Sequence, residues 1–72
     1  MDMKIKALSA KYEAAKAEAE ANFEVYLENA VGVGEHPNII EEMDLLISKW
    51  SDANGKYESL LEMMKIIARE KS

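Results

Sequence analysis

Seventy-two residues make at most one domain, and a chain this short buries a smaller share of its surface than a typical domain does. With no cysteine, neither disulfides nor thiolate zinc sites can staple it, so well-packed helices and association with another copy are the remaining routes to stability. Fourteen acidic against nine basic residues leave a net charge of −5, which argues against phosphate-backbone binding and so against nucleic acid as a partner.

At the N-terminus, Lys4, Lys6 and Lys11 break up the apolar residues, and no hydrophobic stretch is followed by cleavage-like small residues, so no leader is expected. The uninterrupted apolar runs are a few residues long, whereas a membrane span needs roughly 20. A soluble chain with no membrane partner is expected, and the missing cysteines fit a cytoplasmic location.

The first predicted helix covers about residues 2–30. Asp2 can cap its exposed amides, and Gly32 or Gly34 can take the left-handed conformation that stops it. Ala10, Ala14, Ala15, Ala17, Ala19 and Ala21 favour helix and make a thin surface that a partner backbone can approach. Its apolar row is Ile5, Leu8, Tyr12, Ala15, Ala19, Phe23, Tyr26 and Ala30, spaced by threes and fours. Glu24 and Glu28 stand near its C-terminal end, where acids are unfavourable.

A turn over residues 31–37, VGVGEHP, concentrates Gly32, Gly34 and Pro37. It lacks the GK[ST] ending of a phosphate-cradling loop and has no lysine nearby. His36, the only histidine, matches no zinc pattern such as HExxH and reads as a cap or a solvated group, so neither metal nor cofactor is expected. A helix-terminating turn does not by itself call for two glycines followed by Glu-His. Glu35 and His36, with Glu41 and Glu42 just beyond, are therefore a candidate recognition surface for another protein.

The second predicted helix covers about residues 38–70, starting either with Asn38 as cap and Glu41 completing a capping box, or with His36 as cap and Pro37 in the first turn. Ile40, Met43, Ile47, Trp50, Asn54, Tyr57, Leu61, Met64 and Ala68 recur in threes and fours, which predicts that this row lies in the seam of a coiled coil. Beside it, Ile39, Leu46, Ala53, Leu60 and Ile67 fall every seven residues, making the stripe too wide for one neighbour. Gly55 should cost about 1 kcal/mol against alanine and mark a bend. Asn54, polar within the seam, fixes register. Trp50 and Tyr57 read as core, or alternatively as the lining of a pocket between helices. Met43, Met63 and Met64 suit an adaptable surface or gap-filling equally well.

Closing the chain at the turn pairs residues whose numbers add to about 67, so that Ala15 and Ala19 oppose Ile47 and Trp50 in a rod of about 40–50 Å. The fold class is an all-α antiparallel two-helix hairpin forming one domain. Burying the second row requires a homodimeric four-helix bundle, with Leu46, Trp50, Asn54, Tyr57, Leu60, Leu61, Met64 and Ile67 as dimer and core residues. Charge sets the orientation: residues 17–48 hold eight acids and no base, while the two flanking segments hold nine bases and six acids, a net +3. Such bipolar rods attract when antiparallel.

Catalysis finds no support, with no cysteine, one histidine, and five serines (Ser9, Ser48, Ser51, Ser59, Ser72) that lack an evident base. The run Tyr26 to Asp44, YLENAVGVGEHPNIIEEMD, resembles short helical proteins of tailed bacteriophages, especially T4-like phages of marine cyanobacteria. That resemblance covers about a quarter of the chain and implies a phage or marine microbial origin, hence the host cytoplasm, without implying an activity or functional residues. A non-enzymatic interaction or assembly module is expected. A small-ligand- or metal-binding bundle around Trp50, Tyr57 and the carboxylates is the alternative, and an acidic mimic of nucleic acid a third.

Overall fold

The computed structural model, which describes residues 2–28 and 38–71, is a hairpin of two helices, α1 (Met3–Glu28) and α2 (Ile39–Lys71). The molecule measures 59 × 18 × 13 Å, longer than the expected rod. The 33 residues of α2 alone supply about 50 Å of that length. The expected turn over 31–37, the first helix's last two expected residues, and Glu35 and His36 lie outside the described residues.

Both helices begin at the residues whose side chains favour a cap. Asp2 Oδ1 accepts the Lys4 backbone N–H at 2.7 Å, and the Asp2 carbonyl accepts the first helical bond, from Lys6, at 3.1 Å. One otherwise orphaned donor of the first turn is thereby satisfied. The Asn38 carbonyl accepts the N–H of Glu42 at 2.9 Å at the start of α2. Glu41 and Glu42 in its first turn and Arg69 and Lys71 in its last complement the helix dipole. α2 runs through Gly55 as one uninterrupted helix.

The seam between the helices corrects the expected order of the two rows on α2. Leu46 and Ala53 retain only 8% and 4% exposure and Ile39 is also buried, so this row faces α1 instead of a second hairpin. From the row expected in the seam, Ile40 and Ile47 are 72% and 54% exposed and Leu61 is exposed as well. Met43, Trp50, Tyr57 and Met64 border both rows and are half-buried.

The reason lies at the middle of the helix. One row presents Ala53 at that level and the other presents Asn54, and with aliphatic side chains on both rows the difference is an unpartnered amide in an apolar seam, which costs about 1–3 kcal/mol. The all-apolar row turns inward, and the alanines permit close approach: Ala19, the one buried residue of α1, sits against Leu46 and Ala53. Of the row expected on α1, Ile5, Tyr12, Phe23 and Tyr26 flank it half-buried, whereas Leu8 and Ala15 are exposed. Among the described residues only Ala19, Ile39, Leu46 and Ala53 are buried, so the hairpin has a seam but no enclosed core.

Candidate interaction surface

The hairpin presents two long faces, one on each side of the seam, and they differ in chemistry. On the first, a groove runs along Lys11, Tyr12, Glu18, Asn22, Lys49, Asp52 and Lys56, a strip of alternating charge. Lys56 pairs with Asp52 there at 3.2 Å, an exposed i, i+4 bridge worth about 0.3–0.5 kcal/mol. Toward the termini this face opens into an apolar hollow between Ile5 and Leu8 of α1 and Leu60, Met63 and Met64 of α2.

The second face is bounded by Ala19, Glu20 and Phe23 on α1 and by Ile47 and Trp50 on α2. At its centre the Trp50 indole N–H donates to Glu20 Oε2 at 2.6 Å, and Lys16 Nζ lies 5.1 Å from the Trp50 ring centre and 5.8 Å from that of Tyr57. A cation near two aromatic rings, with a carboxylate taking the indole proton, pins α1 to α2 at one register and one rotation. Lys16 thus lies beside both rings, and a hollow lined by Trp50 with Ala19, Glu20, Phe23, Leu46 and Ile47 remains next to them.

Lys16 and Glu20 were not singled out from the sequence. The available signal was their i, i+4 spacing beside the inward Ala19, level with the aromatic pair on α2.

Below and above this cluster, α2 exposes Ile40, Ile47 and Leu61, which share one row with Asn54. The α1 half of the same face is more polar, carrying Lys16 and Glu20 at its centre and exposed Leu27 near the end of the helix. Val25, Leu45, Met63 and Ile66 are exposed too. Val25 and Leu45 share a hollow with Glu42 and Lys49.

Of the expected dimer and core residues, Leu46 is buried; Trp50, Asn54, Tyr57, Leu60 and Met64 are half-buried; Leu61 and Ile67 are exposed. Glu41 and Glu42 are exposed on the first turn of α2, with Asp44 one turn further. Among the described residues, no three acidic, histidine or cysteine side chains gather as a metal site would require. Among the same residues, no helix is long and apolar enough to cross a membrane. Compared with protein families, with curated proteins and with solved structures, the chain has no match.

Proposed function

We propose that this chain is a non-enzymatic protein-interaction or assembly module. In this reading two hairpins pair antiparallel into a four-helix bundle, and the bundle offers its acidic end, Glu41 and Glu42 with Glu35 and His36, to another protein. The observation that carries the reading is the incomplete burial of α2: Ile40, Ile47 and Leu61 stay exposed after α1 has taken the neighbouring row. At about 25 cal/mol per Å², covering several large aliphatic side chains is a larger driving force than a chain of this size has from its surface charges. The resemblance of residues 26–44 to phage-encoded helical proteins supplies the setting, an accessory protein acting in the cytoplasm of the host.

Light scattering over a wide concentration range tests the self-association. A mass of twice 8.1 kDa is expected, falling toward the single-chain value on dilution. A mass of 8.1 kDa at every concentration overturns the four-helix bundle. For the second partner, capture from a cell extract is compared between the native chain and one carrying neutral replacements of Glu35, His36, Glu41 and Glu42. Loss of a captured protein supports the acidic end, and an unchanged set refutes it.

A further inference from the structure

We infer that the second copy binds on the Ile40, Ile47, Asn54 and Leu61 row of α2, antiparallel, with the two-fold axis passing beside Asn54. This rests on the self-association proposed above and specifies its face, direction and register.

The row is close to symmetric about its own middle. In an antiparallel pair with Asn54 on the axis, positions equally far from Asn54 face each other. Ile47 then meets Leu61 of the second copy, seven residues to either side, and Ile40 meets Ala68, fourteen residues to either side. Large aliphatics meet near the centre, and a large residue meets a small one at the ends, as interdigitation requires.

Asn54 itself is half-buried, and its side chain makes no hydrogen bond to another described residue. On the axis it meets its own copy, and an amide carries both a donor and an acceptor, so two asparagines satisfy each other reciprocally. Any slip of one heptad would place that amide against Ile47 or Leu61 and leave it unpaired, which is how one polar seam residue selects a register.

Charge agrees with the same register. The row flanking the contact on its outer side is Asp44, Ser51, Glu58 and Lys65. A two-fold axis keeps flanks on the same side, so Asp44 comes level with Lys65 of the second copy, one such pair at each end. On the larger scale, the span from 17 to 48, with eight acids and no base, lies over the segments of net +3. A parallel pair would set acid on acid. The Asn54 row of α2 carries no charge, whereas on the opposite face Lys49, Asp52 and Lys56 interrupt α2.

The chain has no cysteine, so single cysteines report the geometry cleanly. Four variants are made, Ile47→Cys, Asn54→Cys, Ser59→Cys and Leu61→Cys, each checked for retained helicity and mass, and treated with a short thiol-to-thiol linker. Asn54→Cys is expected to give covalent dimer. Ile47→Cys and Leu61→Cys alone are expected to give little, because each lies about 21 Å along the helix from its own copy. Mixing those two variants restores the link. Covalent dimer from all three in isolation shows a parallel pair and overturns the inference. A stable dimer that links through Ser59→Cys and not Asn54→Cys overturns the face while leaving self-association standing. Monomer throughout, including for the native chain, overturns the self-association proposal and this one with it.

Discussion

Gly55 is the central residue of α2, with sixteen helical residues on either side, and it is exposed. A β-carbon added there meets nothing within 4 Å, and its backbone is not in a conformation reserved for glycine. Gly55→Ala therefore adds no clash and removes only the conformational freedom that glycine has in the unfolded chain. The helix-propensity difference is about 1 kcal/mol at a mid-helix position, away from frayed ends. Unfolding entropy near 2.1 cal/mol/K per residue makes 1 kcal/mol equivalent to a rise of about 4–8 °C in Tm for a chain of this size. Thermal melts followed by circular dichroism measure it, at matched protein concentrations because association makes Tm concentration-dependent. Gly55 borders the hollow toward the termini and is turned about 100° around α2 from the Asn54 row, so the gain is expected at low and high concentration alike. A lowered Tm, or a gain that disappears as the concentration rises, would mean that another chain packs against Gly55. It would refute the face assigned to the second copy.

Leu46→Ala removes the large aliphatic side chain buried opposite Ala19 and is expected to cost about 2–4 kcal/mol in urea titrations. Ile47→Ala, at a residue 54% exposed in the hairpin, should cost less than 1 kcal/mol in dilute solution and progressively more as concentration rises. Equal costs at high dilution would contradict the orientation of α2. Trp50→Phe deletes the hydrogen bond to Glu20 and weakens the Lys16 contact, at about 0.5–1.5 kcal/mol for the first and 0.5–1 for the second. A double-mutant cycle with Glu20→Gln checks it, and a coupling energy of zero would show that the indole is not held by that carboxylate.

Helix number, polarity and starting points were legible because they depend on residues with strong local preferences. Asp2 and Asn38 directly precede the two described helices. Which row of α2 turns inward was not legible from spacing. Met43, Trp50, Tyr57 and Met64 complete a threes-and-fours pattern equally well with Ile40, Ile47 and Leu61 or with Ile39, Leu46 and Leu60. Periodicity fixes the stripe's centre only to within about half of its width, and the choice fell to one adjacent pair, Ala53 against Asn54. The contacts of Lys16 and Glu20 with Trp50 and Tyr57 lay further out of reach. They depend on axial register to a fraction of a turn and on rotation about α1, neither of which the alternation of alanines on that helix encodes.

Alanine in α1 links the tightness of the hairpin to its incompleteness. A thin helix approaches closely, which is why Leu46 and Ala53 can be buried by a single neighbour. The same thinness narrows the strip of α2 that the neighbour covers, and a row one residue further on is rotated by about 100°, beyond the reach of alanine side chains. Ile40, Ile47 and Leu61 are left outside for the reason that Ile39, Leu46 and Ala53 are inside. A bulkier α1 would hold α2 at a greater distance and spread larger side chains over its flank, and the pressure to associate would fall. In the proposed dimer Asn54 would make the association selective, since a second copy of the same row in antiparallel register brings a matching amide to the same level.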